Sequence, residues 1–201
     1  LKPYMGHEWG AKKVEAVFDW CKELGIKEVT LYAFSIENFG RPKREFNYLM
    51  KLFEKEFKRM TDDSKIYQDK VRINFIGRIN MFPESLQAIM KDLQQRTKSH
   101  SNYIVNFAMA YGGRAEVIDA VKKIASRLKS NSLSIEDINE QVFSENLYID
   151  REPDLIIRTS GEQRTSGFML YQGAYAEWFF CKKMWPEFTK QDLVKAIEDF
   201  K

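Results

Sequence analysis

The sequence predicts an α/β fold in which a mostly parallel central sheet is flanked by helices. Helical and strand patterns alternate along the chain, which is typical of the units that build a parallel sheet. The run at residues 29–34 is apolar on both faces, as expected for a strand buried between helices. The chain has 201 residues, a length that one hydrophobic core can serve, so residues 1–201 are predicted to form a single domain.

The first elements follow one another as this alternation requires. Apolar side chains recur at helical spacing over residues 14–24, and Gly25 ends that helix. The buried strand at 29–34 comes next. Pro42 suits the first turn of the following helix, which carries a wide apolar stripe over residues 46–60.

The second part of the chain repeats the pattern. Alternating apolar residues predict a strand at 71–75, and Pro83 opens a helix. An apolar strand at 103–110 is broken by Gly112 and Gly113. The remaining predicted elements are a helix over 117–128, a helix start at Ser134 with Asp137 as its capping partner, strands at 154–158 and 179–180, and a helix over 188–200.

The charge balance and the cysteine count exclude several classes of protein. Lys and Arg number 32 and Asp and Glu 29, so the formal charge is +3, and we expect no nucleic-acid partner because no long basic run is present. Cys21 and Cys181 are too few for a disulfide framework and indicate buried thiols in a reducing compartment. No apolar run approaches the length of a transmembrane helix.

Polar side chains collect in the loop after the strand at 29–34. A hydroxyl, a carboxylate, an amide and a guanidinium precede a helix start, at Ser35, Glu37, Asn38 and Arg41. Free backbone N–H groups and the helix dipole attract anions at such a point. The loop is therefore a candidate anion site, and the alternative is a capping loop with a surface arginine.

A second polar loop follows the strand at 154–158. Its charged and hydroxyl side chains include Arg158, Glu162, Arg164, Thr165 and Ser166. Arginine forks bind phosphate oxygens through paired hydrogen bonds, and hydroxyls add further bonds. Because Arg158 ends an apolar strand, its charge must meet a partner or water. The alternative is a solvated turn in which Glu162 pairs with Arg158 or Arg164.

Two further residues have polar side chains in unusual surroundings. Glu177 precedes three aromatic residues and needs a cation, either an arginine in a salt bridge or a hard metal such as Mg²⁺. His7 precedes the first helix and is either a site residue or a capping or core histidine. Together with the two loops, they predict a site for a phosphorylated substrate beside an apolar chamber, without indicating a reaction type.

Seven short motifs occur in order over nearly the whole chain. They are Gly6-His7-x-x-Gly10, Leu31-Tyr32-Ala33-Phe34-Ser35-x-Glu37-Asn38, Arg41-Pro42, Asn106-x-Ala108-x-Ala110-Tyr111-Gly112-Gly113-Arg114, Asp154-Leu155-x-Ile157-Arg158-Thr159-x-Gly161-Glu162-x-Arg164-x-Ser166-x-Phe168, Tyr175-x-Glu177 and Trp185-Pro186-x-Phe188. This ordered set resembles the cis-prenyltransferases, the undecaprenyl and dehydrodolichyl diphosphate synthases. One such motif is weak, but the ordered set is highly specific.

The resemblance implies a transferase that joins isopentenyl diphosphate to an allylic isoprenyl diphosphate, forms a Z double bond and uses Mg²⁺. It also implies a cis-prenyltransferase-type fold with an apolar tunnel, a homodimer, and a cytoplasmic enzyme that contacts the membrane peripherally through its lipid product. The apolar pattern suggests the tunnel-lining candidates Phe46, Leu49, Met50, Phe53, Phe107 and Met109. Ordinary core packing is the alternative for each of them.

The resemblance also implies a role for each polar residue that matches a family motif. Arg158, Arg164 and Ser166 hold the diphosphate of isopentenyl diphosphate, with Glu162 and Thr165 in the same substrate-binding loop. His7 and Arg41 lie near the allylic diphosphate, and Phe39, which stands where the family usually has Trp, is a further substrate-binding residue. Asn38 sits where isopentenyl diphosphate loses its proton, and Ser35 and Glu37 line that loop. Glu177 helps to hold Mg²⁺ from the neighbouring subunit's side of the site.

The sequence departs from the family pattern at its start. The family's Asp-Gly-Asn-x-Arg motif, which carries the main metal-binding aspartate after a central strand, does not precede Gly6. We therefore expect that the sequence lacks this strand and loop. Two alternative functions remain: the same fold transferring a prenyl group to another acceptor such as an alcohol, and a non-catalytic subunit of a heteromeric prenyltransferase. Gly167 and Tyr171 differ from the usual family residues and motivate the first of these.

Overall fold

The computed structural model describes residues 5–200, and helices and strands alternate along it as predicted. In chain order the elements are α1 (Met5–Glu23), β1 (Glu28–Ser35), α2 (Lys43–Thr61), α3 (Ser64–Gln68), β2 (Val71–Ile76), α4 (Glu84–Thr97), β3 (Tyr103–Tyr111), α5 (Gly113–Lys129), α6 (Glu140–Glu145), β4 (Leu155–Arg158), β5 (Glu177–Phe180) and α7 (Lys190–Asp199). Short 3₁₀ segments cover Ile36–Gly40, Ile79–Met81 and Trp185–Glu187. The predicted α/β class is confirmed. None of the helices described is long and apolar enough to cross a bilayer.

All strand pairs between residues 5 and 200 are parallel. β3 lies between β1 and β2 in a three-stranded sheet, and β4 pairs with β5 in a separate two-stranded sheet. As the middle strand, β3 is buried continuously over residues 105–111, whereas Phe34 is the buried residue of β1 and the rest of that strand is half-buried. The continuous burial that the sequence suggested for β1 is thus found in β3, whose two edges are both covered by neighbouring strands within residues 5–200.

One face of the three-stranded sheet packs against α2 and α4. Phe57 of α2, Leu86 of α4 and Phe107 of β3 belong to one buried cluster, and removing this apolar surface from water is the main force that joins the layers. The tunnel candidates Leu49, Met50, Phe107 and Met109 are buried in the same cluster, and Phe46 and Phe53 pack against it. These contacts are those of a core, and the tunnel stays a prediction.

The other face of this sheet carries a smaller cluster. Successive strand residues point to opposite faces, so Ile76 and Ala108 lie on the side away from Phe107. They are buried together with Tyr111, and Tyr32 and Phe168 pack against them. Because Phe168 belongs to the segment after β4, this cluster joins that segment to β1 and β3.

α1 and α7 form the third part of the core with the two-stranded sheet. Val17 and Cys21 of α1 are buried together with Cys181, Phe188 and Leu193. Both cysteines are free and buried, as the sequence predicted. This cluster packs α1 against the ends of β4 and β5.

The predicted helix start at Ser134 is wrong, although the capping bonds themselves form. The backbone N–H and the hydroxyl of Ser134 donate to Asp137 Oδ2 at 3.0 and 2.7 Å. These two bonds close an isolated turn, and the backbone does not continue into a helix after it. Helix α6 begins later, where Asn139 Oδ1 accepts from the Val142 N–H at 2.9 Å.

Candidate active site

The carboxyl end of β1 leads directly into the first predicted loop. The backbone N–H of Ser35, the last residue of β1, donates to Asn38 Oδ1 at 3.0 Å. This bond closes the 3₁₀ turn and occupies the amide oxygen of Asn38. Glu37 is exposed on the same turn. The Nδ2 group of Asn38 has no hydrogen-bond partner among residues 5–200, so this amide can donate to a ligand.

Arg41 and His7 meet at a carboxylate that sequence reasoning missed. Glu45, in the first turn of α2, accepts a hydrogen bond from Arg41 Nη1 and lies 3.1 Å from His7 Nε2. The hydrogen bonds from His7 and then Arg41 hold the pKa of the Glu45 carboxyl below its usual range. The signal available in the sequence was the spacing of Glu45 four residues after Arg41, since such residues at a helix start share a face.

Phe39 turns towards the core. Its ring centroid lies 5.1 Å from that of Phe34 and 5.5 Å from that of Phe82. The side chain is only half-buried, so it lies at the border between the apolar layer and the loop. Phe39 therefore anchors the 3₁₀ turn that carries Asn38.

Two guanidinium nitrogens are buried without a hydrogen-bond partner among the residues described. They are Nε of Arg41, in the loop after β1, and Nε of Arg158, the last residue of β4. A buried charged donor without an acceptor is unfavourable, and a bound anion would supply that acceptor. Both arginines lie beyond the carboxyl ends of parallel strands, which is where α/β sheets bind ligands.

The backbone just after Arg158 is fixed by the segment that follows β5. The Cys181 N–H donates to Arg158 O at 2.7 Å, and the Gly161 N–H donates to Cys181 O at 2.9 Å. The Ser160 N–H donates to Lys183 O at 2.7 Å. These three bonds place the Arg158 side chain at a rigid point of the loop.

The outer part of this loop carries the remaining predicted residues. Glu162 forms an ion pair with Arg164 Nη1, as in the solvated-turn alternative. No ion pair involves Arg158 in the part of the chain that the structure covers. Thr165 and Ser166 are exposed, so their hydroxyls and the other Arg164 nitrogens are accessible to a ligand.

A left-handed turn follows Thr165. Ser166, Gly167 and Met169 have φ angles of 48°, 73° and 45°, which are unfavourable for residues other than glycine. The Gly113 N–H, at the start of α5, donates to Gly167 O at 2.8 Å. A Cβ atom on Gly113 would lie 2.6 Å from that same oxygen, so only glycine lets α5 approach the turn this closely.

Buried Glu116 ties the same segment to β3 and α5. This side chain is 1% exposed, and its carboxylate accepts from the Tyr111 hydroxyl, from the Tyr148 N–H at 2.9 Å and from Gln172 Nε2 at 3.0 Å. The Tyr111 oxygen in turn accepts from the Met169 N–H at 3.1 Å. Sequence reasoning missed Glu116, because an acidic residue in the first turn of a helix usually faces water.

Comparison with known proteins identifies the class of protein that carries this site. The Prenyltransf family model, described as undecaprenyl diphosphate synthase, matches residues 1–201. The chain belongs to the undecaprenyl diphosphate synthase family. The cis-prenyltransferase class predicted from the motifs is thus confirmed, and with it the transferase activity of isoprenoid biosynthesis.

Two relatives and one solved structure agree with this assignment. The tritrans,polycis-undecaprenyl-diphosphate synthase (geranylgeranyl-diphosphate specific) of Methanocaldococcus jannaschii is 47% identical over 201 residues, which cover 98% of this chain and 72% of that protein. The protein of the same name from Pyrococcus horikoshii is 46% identical over 200 residues, with coverages of 98% and 76%. The lavandulyl diphosphate synthase of Lavandula x intermedia, solved with dimethylallyl diphosphate, has a TM-score of 0.89 and 31% identity, with coverages of 96% and 84%.

The metal ligand predicted for this synthase lies at the other end of the two-stranded sheet from Arg158, because Glu177 pairs with Leu155 and Arg158 with Phe180. Glu177 is exposed as the first residue of β5, where its N–H donates to Asp154 O at 3.0 Å. Over residues 5–200, no three His, Cys, Asp or Glu side chains come together in a way that could hold a metal ion. Mg²⁺ is usually held by one or two carboxylates together with waters and substrate phosphates, so Glu177 stays a predicted ligand.

Proposed function

We propose that this synthase condenses isopentenyl diphosphate with geranylgeranyl diphosphate and extends the product through Z double bonds. The observation that carries the proposal is the pair of buried, unpartnered guanidinium nitrogens on Arg41 and Arg158. They belong to two loops at the carboxyl ends of parallel strands, and the reaction needs two diphosphate sites. The choice of geranylgeranyl diphosphate as primer rests on the names of the relatives from Methanocaldococcus jannaschii and Pyrococcus horikoshii.

Isopentenyl diphosphate is assigned to the loop after β4. Arg158 is half-buried and provides a cation whose buried Nε lacks an acceptor, and Ser166 provides an exposed hydroxyl. Arg164 uses Nη1 for Glu162, which leaves its other nitrogens for phosphate oxygens. A bidentate guanidinium–phosphate contact gives orientation as well as affinity, and this orients the double bond of isopentenyl diphosphate for attack.

The allylic diphosphate is assigned to Arg41 and His7. Breaking the allylic C–O bond leaves negative charge on the departing diphosphate, and a cation already in place stabilises that charge. Glu45 contacts both Arg41 and His7, so it holds these donors in one orientation before substrate binds. Fixed donors of this kind need no reorganisation during the reaction.

We assign Asn38 to the step in which isopentenyl diphosphate loses its proton. The hydrogen bond that its amide oxygen already accepts limits what this side chain can do. The amide oxygen is already bonded to the Ser35 N–H, and an amide is a poor base. We assign the Nδ2 group to a diphosphate oxygen, which places that oxygen to accept the proton from isopentenyl diphosphate. Glu37, exposed on the same turn, is assigned to lining this loop.

Magnesium dependence, a homodimer and a cytoplasmic, membrane-peripheral location belong to the same proposal. Glu177 is the one predicted carboxylate for Mg²⁺, and its exposure fits a ligand shared with a neighbouring subunit. Two buried free thiols fit a reducing compartment. Sedimentation analysis tests the dimer, and chelation by EDTA tests the metal.

The test is incorporation of radiolabelled isopentenyl diphosphate with dimethylallyl, farnesyl or geranylgeranyl diphosphate as primer, with and without Mg²⁺. We expect the highest kcat/KM with geranylgeranyl diphosphate, and products whose double bonds are Z. A preference for another allylic diphosphate would correct the primer only. The absence of incorporation from every primer would refute the proposed condensation, and a prenyl ether formed with an added alcohol would favour the alternative acceptor.

A further inference from the structure

Tyr32 lies where β1, the end of β3 and the segment after β4 meet. Its side chain belongs to the cluster of Ile76, Ala108 and Tyr111 on the sheet face away from α2 and α4. Tyr32 is in β1, Tyr111 ends β3, and Phe168 lies in the segment after β4. One side chain therefore touches both the three-stranded sheet and the diphosphate loop.

The contacts of Tyr32 use both its ring and its hydroxyl. The ring stacks on Phe168 with centroids 4.9 Å apart and an interplanar angle of 14°, and it meets Tyr111 edge-on at 5.6 Å. The hydroxyl lies 3.2 Å from Tyr111 O and 3.5 Å from Ser166 O. The stacked ring gives area and orientation. The hydroxyl has a single proton, which Tyr111 O accepts, and Ser166 O lies at the outer limit of its reach.

The phenol also lies within the electrostatic reach of both loops. Its surroundings include Glu37 and the Ser35 side chain from the loop after β1, and Arg158 from the end of β4. Burial, with Glu37 adding to it, raises the pKa of Tyr32 to about 12. The hydroxyl therefore stays protonated near neutral pH and can donate to a carbonyl.

The backbone that Tyr32 contacts is the backbone that needs support. Ser166 and Met169 have left-handed φ angles of 48° and 45°, and side chains disfavour that conformation. Such turns persist when the surroundings hold them. The Tyr32 ring packs on Phe168 and its hydroxyl lies against the Ser166 carbonyl, so Tyr32 contacts the turn on the two sides of Gly167.

We propose that Tyr32 is a positioning residue that holds the left-handed turn at Ser166 in the conformation that binds a diphosphate. This inference rests on the proposed function, because it concerns the loop assigned to isopentenyl diphosphate. Removing the hydroxyl loosens the Ser166 carbonyl, and the bound diphosphate then has to order the turn itself. The affinity of that loop falls, whereas the site at Arg41 and His7, which Tyr32 does not contact, keeps its affinity.

The experiment compares Tyr32→Phe with the matched control Tyr67→Phe. Each change removes one phenol hydroxyl that donates to a backbone carbonyl; the Tyr67 hydroxyl donates to Thr61 O at 2.7 Å, between α2 and α3. We expect Tyr32→Phe to raise the KM for isopentenyl diphosphate about fivefold, which corresponds to one hydrogen bond. The KM for the allylic substrate stays unchanged, and Tyr67→Phe changes neither KM.

A second variant and a second readout keep the inference testable. Phe168→Leu removes the stack but leaves the Tyr32 hydroxyl, and we expect a similar rise in the KM for isopentenyl diphosphate. Calorimetric titration with inorganic diphosphate, with Arg41→Ala carried in every protein so that the allylic site does not contribute, measures binding to the loop after β4 without turnover. It therefore decides the role of Tyr32 even if the protein incorporates no isopentenyl diphosphate. In this background, equal diphosphate affinity with and without Tyr32→Phe or Tyr67→Phe would overturn the inference, whatever the outcome for the proposed reaction.

Discussion

Replacing Glu116 with Gln tests whether a buried carboxylate holds the segment between β4 and β5 in place. Glu116 is 1% exposed, and its two oxygens accept three hydrogen bonds, from Tyr111, Tyr148 and Gln172. Gln has nearly the same shape but replaces one acceptor oxygen with an NH₂ group. If the amide oxygen keeps the Tyr148 and Gln172 bonds, the NH₂ group faces the Tyr111 hydroxyl.

The magnitude follows from that single exchange. The Tyr111 hydroxyl already accepts from the Met169 N–H, so next to an NH₂ group it would only accept and would lose its charged acceptor. A hydrogen bond to a charged group contributes about 1.5–3 kcal/mol. We therefore expect Glu116→Gln to lower the free energy of unfolding by about 2 kcal/mol, or Tm by about 4–8 °C in a domain of this size.

Urea denaturation at pH 7 provides the assay, with Glu136→Gln as the control. Glu136 is exposed, so its replacement should change the free energy of unfolding by less than about 0.5 kcal/mol. Tyr111→Phe and the double variant complete a cycle whose coupling energy should reach about 1–2 kcal/mol. A Glu116→Gln effect as small as that of the control, or additive effects in the cycle, would refute the buried network as the support of this segment.

Four further outcomes are expected. Arg158→Ala should raise the KM for isopentenyl diphosphate and lower turnover, reducing kcat/KM roughly 30-fold or more because a buried phosphate loses a charged donor; a near-wild-type kcat/KM would contradict the assignment. Gly113→Ala should lower the free energy of unfolding by more than about 2 kcal/mol, since its Cβ would meet Gly167 O at 2.6 Å, whereas Gly6→Ala, with no atom within 4 Å, should not. Asp192 has its pKa lowered to about 2, mainly by Lys183, so the stability it adds is present above pH ~4 and is lost as pH falls towards 2. In urea titrations from pH 5 to 2, Asp192→Asn should lack that component of up to about 2 kcal/mol. EDTA should abolish incorporation and excess Mg²⁺ should restore it, and full activity in EDTA would exclude the metal requirement.

Local signals in the sequence predicted most elements of the fold. Gly25 and Pro42 mark the end of α1 and the start of α2, and the apolar alternation at 71–75 marks β2, because these signals act within a few residues. The same logic placed polar side chains at the ends of β1 and β4. The ordered motifs then identified the family, which composition and spacing alone did not.

What the sequence did not predict depends on contacts between distant segments. Glu116 meets Gln172 across 56 positions, and His7 meets Glu45 across 38, so neither partner is visible from spacing along one element. The burial of β3 rather than β1 likewise depends on strand order, which apolar content does not specify. At Ser134, a correct local bond was mistaken for a helix start because a capping bond alone does not propagate a helix.

The middle position of β3 has a consequence for how the chain assembles. Its residues contact β1 from far along the chain, as in the bond between Asn106 and Thr30 across 76 positions. During synthesis, β1 and β2 emerge before the strand that separates them, and each waits with unpaired backbone groups and apolar side chains. Parallel, long-range pairings of this kind are slow, and exposed strand edges promote aggregation in the meantime. A nascent chain that has not yet reached β3 therefore leaves β1 and β2 unpaired and prone to aggregation.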